Sequence, residues 1–311
     1  MTRAKWTDAE IPDQGGRTVL ITGANSGLGL RSAEAMARHG ATVLLACRNP
    51  DKGKDALVAV QAAATGPAPR LVSLDLSELS SVRDCAAEVN ESLPRLDVLM
   101  NNAGVMAIPL RRNKAGQEMQ FATNHLGHFA LTGLLLPTLL KAPAPRVVTT
   151  SSIVHRIGKM RWNDLQRDRR YSKWFAYGQT KLSNLLFAFE LDRRAKTAGA
   201  PLTSMAAHPG YANTHLQAAG PEMAGSGFTE ALMEWANKVF AQSDTQGAWP
   251  QLYAATMPDV HGGEYFGPGG LFEQQGHPEQ VKGNRRARNE ADAARLWQVS
   301  EQLTGVSYAL G

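Results

Sequence analysis

Tyr177 and Lys181 stand four residues apart in the segment YGQTK. On a helix that spacing puts phenol and ammonium on one face. A free phenol has a pKa of about 10, too high to trade protons efficiently near neutrality. A fixed cation nearby favours the phenolate and lowers that value. Ser152 ends an apolar run, RVVTTSS, and its hydroxyl could polarise a carbonyl. Asn124, in a helical stretch, could hold a water or a backbone group in a proton path. Each feature alone is common surface or turn chemistry. Their joint occurrence, in this order, suggests acid–base work on an oxygen.

A second group points to a phosphate ligand. In ITGANSGLGL, Gly23, Gly27 and Gly29 fall between a predicted strand and a predicted helix, with Asn25, Ser26 and Leu28 between them. Missing side chains let backbone approach a pyrophosphate, and a helix N-terminus offers free N–H groups and a positive dipole end. Three glycines are a weak signal alone and a stronger one at a first βα turn. An NAD site wants a carboxylate at the end of the second strand. This chain has Cys47 followed by Arg48. Arg48 can pair with a 2′-phosphate bidentately, so NADP(H) is expected, with NAD(H) as the second choice. The segment NNAG (Asn101, Asn102, Ala103, Gly104) offers small residues against which a cofactor can lie.

These groups need a scaffold that gathers strand ends. Short apolar runs recur at Arg17–Gly23, Ala41–Cys47, Arg70–Leu76, Leu96–Gly104, Arg146–Ser152 and Leu202–Gly210. Helical patterns separate them: Ser26–Gly40, Asp51–Ala64, Leu79–Leu93, Glu118–Leu140 and Tyr177–Ala198. Continuous apolar strands indicate a parallel sheet covered on both faces. The fold class is therefore α/β, a Rossmann-type doubly wound sheet of about seven strands. Beyond Gly210 the pattern fades into a helix over Gly220–Ala255, a short strand in Gly262–Gly270 and a last helix, Glu290–Thr304. One domain, 1–311, is expected, with 211–311 as a variable substrate cap inside it.

Composition excludes several classes. The chain has 311 residues, 43% hydrophobic and 20% charged, which is ordinary for a folded protein. Two cysteines, Cys47 and Cys85, cannot build a disulfide scaffold or a four-cysteine zinc site. The longest apolar stretch, Phe129–Leu140, is too short to span a bilayer and contains Pro137. No leader or anchor segment is evident, so a soluble cytoplasmic protein is expected. The net charge of +5 is scattered, and the runs Arg167–Lys173 and Arg285–Arg288 read as solvated surface, not a nucleic-acid face. His125 and His128 lie a turn apart without a third ligand, so packing or cofactor-side hydrogen bonding is expected there and no metal. His155 is a candidate substrate contact, and His208 is expected to fix its loop. Trp174, Trp235, Tyr265 and Phe266 are candidates for a pocket wall.

With these motifs in place, the chain resembles the short-chain dehydrogenase/reductase superfamily over about Arg17–Leu216. The carriers are TGANSGLG, LDLS, NNAG, NHLGHF, SS before YGQTK, and HPG. The segments LLACRNPDKG and VVTTSSIVHRIGKM…RYSKWFAYGQTKLSN are similar to the retinol-dehydrogenase-like group, which includes the WW-domain oxidoreductases. The resemblance implies Asn124, Ser152, Tyr177 and Lys181 as a catalytic tetrad, with Ser152 and Tyr177 on the substrate. It implies Asp75 and Leu76 beside the adenine, and Pro209, Gly210 and Thr214 beside the nicotinamide. The implied activity is hydride exchange with a carbonyl or alcohol of a hydrophobic small molecule. A dinucleotide-reading sensor and a reductase of carbon–carbon double bonds are the alternatives. Self-association is left open, since the chain's own tail could cover the crossover helices. The strand reads VVTTSS where the group more often has VVNVSS, and no WW module is present.

Overall fold

The computed structural model describes residues 5–210 and 243–310. Among the described residues, eight strands form one sheet: β1 (Thr18–Thr22), β2 (Thr42–Cys47), β3 (Arg70–Ser73), β4 (Val98–Asn101), β5 (Arg146–Thr150), β6 (Thr203–Ala207), β7 (Tyr265–Pro268) and β8 (Pro278–Gln280). Their order is β3-β2-β1-β4-β5-β6-β7-β8. All neighbouring pairs are parallel except β7 and β8, which pair antiparallel with Phe266 opposite Gln280. The sheet is the doubly wound α/β type expected. The short antiparallel edge strand β8 escapes the sequence pattern, because three residues, two of them exposed, carry no periodicity.

Among the described residues, seven helices of three or more turns accompany the strands: α1 (Gly27–Arg38), α2 (Pro50–Ala63), α3 (Leu79–Ser92), α4 (Gly127–Leu139), α5 (Lys173–Ala198), α6 (Asp244–Thr256) and α7 (Glu290–Thr304). Alternate strand residues face opposite layers. Val19, Ile21, Val43 and Leu45 pack with α1, α2 and α6. Leu20, Leu44, Leu99 and Val147 pack with α3, α4 and α5. Both faces are covered, which is why the strands read as unbroken apolar runs. α7 lies outside α5, with Leu296 beside Leu185 and Leu186. The described part of the region after Gly210 thus supplies two strands and two helices to the sheet and its layers.

Several expected strands stop early, each for a local reason. Past Ser73, Asp75 accepts from the backbone and side chain of Ser77 at 2.9 and 2.7 Å, forming an Asx-type turn. Past Asn101, the N–H groups of Asn102 and Ala103 donate to Thr22 Oγ1, both at 3.0 Å, and leave the ladder. Past Thr150, Ser152 accepts from Val154 N and opens a 3₁₀ turn, Ile153–Ile157. The helix expected over Glu118–Leu140 contains a π turn, Ala122–Leu126, between Met119–Phe121 and α4. π turns occur often at functional sites, and this one carries Asn124. α5 starts four residues before Tyr177, so that residue sits inside a formed turn rather than at a frayed end.

Arg167 departs from the solvated surface expected of its charge run. It is 3% exposed, with a left-handed φ of 57°, and donates to Phe175 O and Gln179 Oε1 at 3.1 and 2.8 Å. Cys47 and Cys85 are buried free thiols. Among the described residues, no helix is long and apolar enough to cross a membrane, and no three His, Cys, Asp or Glu side chains cluster as metal ligands.

Candidate active site

The chain leaves β1 for β2 and β3 on one side and returns to β4 on the other. A crevice opens outside the strand ends at such a switch point. Here it measures about 400 Å³. Its wall holds Gly23, Asn25, Ser26, Gly27, Leu28, Gly29, Arg48, Asp75, Leu76, Asn102, Ala103, Gly104, Ser152, Tyr177, Lys181, Pro209 and Gly210. Residues separated by up to 187 positions in the chain thus meet in one place. Thr214 and Trp235 lie outside the described residues.

The loop after β1 is shaped for close backbone approach. Gly23 has a φ of +67°, and a Cβ there would lie 3.0 Å from Ala103 Cα. A Cβ on Gly29 would stand 2.3 Å from Gly23 O and 2.6 Å from Asn102 Nδ2. Only glycine leaves these positions open. Ser26, the N-cap of α1, makes no side-chain capping bond. The first-turn N–H groups of α1 are therefore free of side-chain competition at the crevice wall. A glycine cradle with an uncapped helix start fits a pyrophosphate.

At the end of the crevice next to β2, Arg48 and Lys52 both line the wall. Asn49 caps α2 by accepting from Asp51 N and Lys52 N at 3.0 Å, which fixes the start of the helix carrying Lys52. Sequence reading missed Lys52. Its signal was available, since four residues after Arg48 places it one helical turn on.

At the other end sit Ser152, Tyr177 and Lys181. Tyr177 and Lys181 are 6% and 4% exposed. Burial pushes the Tyr177 phenol above its usual range, while a hydrogen bond with Ser152 pulls it back. Burial lowers Lys181 to about 8. Its Nζ donates to Thr150 O at 3.0 Å and lies 5.6 Å from the Tyr177 ring centroid. The lowering of the phenol expected from the Lys181 ammonium does not figure among the effects on Tyr177 here. Desolvation, which penalises the charged phenolate, is the largest effect, and the hydroxyl of Ser152 opposes it.

Asn124 stands behind the crevice wall, not in it. Its Nδ2 donates to Val105 O and Thr180 Oγ1 at 2.9 and 3.0 Å, and its Oδ1 accepts from Val105 N at 2.7 Å. It ties the segment after NNAG to α5. Gly104 packs between them: a Cβ there would lie 3.1 Å from Asn124 Oδ1 and 3.6 Å from Lys181 Nζ.

The histidines are structural neighbours of the site. His125 stacks on Phe121 at 5.3 Å and meets Ser300 Oγ at 2.8 Å. His128 bridges Thr22 Oγ1 and Asn124 O at 2.9 and 3.1 Å. Burial holds them neutral, at about 3 and about 4. His155 is buried against Ser152 O at 2.7 Å and stays off the crevice wall. His208 accepts from Gly210 N and meets Glu273 Oε2, both at 3.1 Å, so it fixes the loop that carries Pro209. Tyr265 and Phe266 are core residues of β7, not pocket walls, because parallel pairing with β6 buries them. Trp174 does line the crevice, edge-on to Tyr177 at 6.4 Å, together with Val105, Met106 and Val154.

The short chain dehydrogenase profile matches residues 17–224. The chain belongs to the short chain dehydrogenase family. Members are NAD(P)-binding oxidoreductases acting on CH–OH and C=O groups, and this chain is such an enzyme. Mouse retinol dehydrogenase 12 is 38% identical over 97% of this chain and 90% of its own length. Mouse retinol dehydrogenase 14 is 40% identical, covering 94% and 86%. A crystal structure of an uncharacterized protein from Mycobacterium paratuberculosis is 43% identical with a TM-score of 0.80, covering 98% and 99%. A short chain dehydrogenase of Escherichia coli CFT073 crystallised with NADPH is 24% identical with a TM-score of 0.62, over 82% and 98%, a likeness of fold.

Proposed function

We propose that this short chain dehydrogenase is an NADP(H)-dependent reductase of a hydrophobic carbonyl, running in reverse as an alcohol dehydrogenase. The observation that carries this reading is the meeting of Ser152, Tyr177 and Lys181 at one end of a crevice whose other end is a phosphate cradle. The glycine loop, Asn25, Ser26, Leu28 and the start of α1 hold the pyrophosphate. Asp75 and Leu76 flank the adenine, and Arg48 with Lys52 receives a 2′-phosphate. NAD(H) is taken more weakly. Asn102, Ala103, Gly104, Pro209 and Gly210 accommodate the nicotinamide side. When bound, the dinucleotide supplies or takes up the hydride.

The chain's own residues manage the proton. As the carbonyl carbon is reduced, Tyr177 gives its phenolic proton to the substrate oxygen. Ser152 donates a hydrogen bond to that oxygen while negative charge develops on it. Lys181 then stabilises the phenolate left behind, and Asn124 keeps α5 and the Val105 segment in register around it. The phenol gives its proton in the reducing direction, and its phenolate accepts one in the oxidising direction. Val105, Met106, Val154 and Trp174 give the substrate end an apolar lining, and the curated relatives are named retinol dehydrogenases. Both support a hydrophobic substrate, selected by the chain that follows Gly210.

The test is Tyr177→Phe with a panel of aldehydes, ketones and retinoids. General acid catalysis is worth about 10²–10⁴-fold, so turnover should drop by that order while NADPH binding persists. Turnover at the wild-type rate in the variant would overturn the assignment.

A further inference from the structure

Gln251 lies on α6, outside the residues matched by the family profile, and is 3% exposed. Its amide touches three chain segments of the crevice floor. Oε1 accepts from Thr150 Oγ1 at 2.8 Å. Nε2 donates to Ser32 Oγ on α1 at 2.7 Å and to Asn102 Oδ1 at 3.2 Å. These partners fix which way the amide faces, because one side must accept and the other must give both of its hydrogens. The network continues on each side. Asn102 Nδ2 donates to Thr22 O at 2.8 Å, under the glycine loop. Thr150 O accepts from Lys181 Nζ at 3.0 Å and from Asn184 Nδ2 at 2.9 Å.

We propose that Gln251 is a positioning residue that sets the distance between the dinucleotide cradle and the Tyr177–Lys181 pair. It does so by bridging the ends of β4 and β5 to the helix whose N-terminus receives the pyrophosphate. A fully satisfied buried amide holds such elements more rigidly than apolar packing, which has no preferred register. Gln251 contacts neither cofactor nor substrate, as it stays off the crevice wall. The inference rests on the dinucleotide reading given above.

The experiment compares wild type with Gln251→Met, which keeps length and volume but removes the amide, and with Ser32→Ala, which removes only the α1 partner. NADPH and NADH affinities are read by fluorescence titration, and steady-state kinetics and thermal melting by standard means. In Gln251→Met both dinucleotides should weaken by a common factor of about tenfold, roughly one unpaired buried group. Their ratio should hold, because Arg48 and Lys52 are untouched. The turnover number should fall while KM for the carbonyl stays constant, since the substrate wall is intact. Ser32→Ala should show the same pattern at a few-fold, and carries the test if the methionine variant does not fold. Wild-type affinities and turnover in a folded Gln251→Met, or a lowered melting point with both unchanged, would overturn the proposal. A wild-type protein that binds neither dinucleotide would instead sink the functional reading on which it stands.

Discussion

Replacing Gly29 with alanine sets two opposed effects against each other. Gly29 lies in the first turn of α1. Helix propensity alone favours alanine by about 0.8–1.0 kcal/mol. The structure opposes this, because the new Cβ would meet Gly23 O at 2.3 Å and Asn102 Nδ2 at 2.6 Å. Unstrained carbon contacts begin near ~3.5 Å, so something must move by roughly 1 Å. Neither obstacle is a free side-chain tip. Gly23 N donates to Ala46 O at 2.8 Å, and Asn102 Nδ2 donates to Thr22 O at 2.8 Å. Overpacking costs about 1–3 kcal/mol, and each hydrogen bond stretched adds about 0.5–1.5 kcal/mol. The steric side wins, and Gly29→Ala should be destabilised by about 1–5 kcal/mol in urea unfolding. The shifted loop should also weaken NADPH at least about tenfold, read by fluorescence titration. A variant as stable as wild type, with unchanged NADPH affinity, would show that the cradle is not pinned as described.

Two further outcomes follow from the electrostatics. Arg48→Ala should lose about tenfold or more in NADPH affinity, the worth of a charge-assisted bidentate pair, with little change for NADH; parallel titrations of the two dinucleotides check it, and an unchanged ratio counts against a 2′-phosphate contact. Burial lowers His125 from 6.5 to about 3, so the unfolded chain binds the extra proton first as pH falls. Stability is therefore lost on acidification below 6.5, by up to about 1.4 kcal/mol per pH unit for that group, levelling off near the folded value. Urea midpoints between pH 7 and pH 5 should fall, and the slope should be shallower in His125→Phe; an identical slope would refute the assignment.

Much of the site could be read before the fold. Gly23, Gly27 and Gly29 stand at a strand–helix junction, and Tyr177 and Lys181 at helical spacing, and both patterns depend on neighbours only a few residues away. The same holds for Arg48 after β2. Lys52 was readable by the same rule and went unread. Asn124 was placed in the right segment, but its backbone lies in a π turn that no periodicity announces. Its side chain bonds to Val105 and Thr180 rather than opening onto the crevice. Tyr265 and Phe266 looked like pocket aromatics because an aromatic pair next to glycines resembles a loop. Pairing of β7 with β6 makes them core.

By itself the sequence determined most element types, the order of the first seven strands along the chain and the chemical identities gathered at their ends. Those follow from local spacing and from apolar runs that need cover on two faces. Tertiary structure alone decided the balance of charge and the cross-links. The upward push on the Tyr177 phenol depends on how much water its surroundings exclude. The burial of Arg167 depends on a turn folding over Gln179. The bridge made by Gln251 to Ser32 joins residues 219 positions apart. Solvent exclusion and long-range hydrogen bonds exist only once distant segments are packed against one another, so no window along the chain contains them.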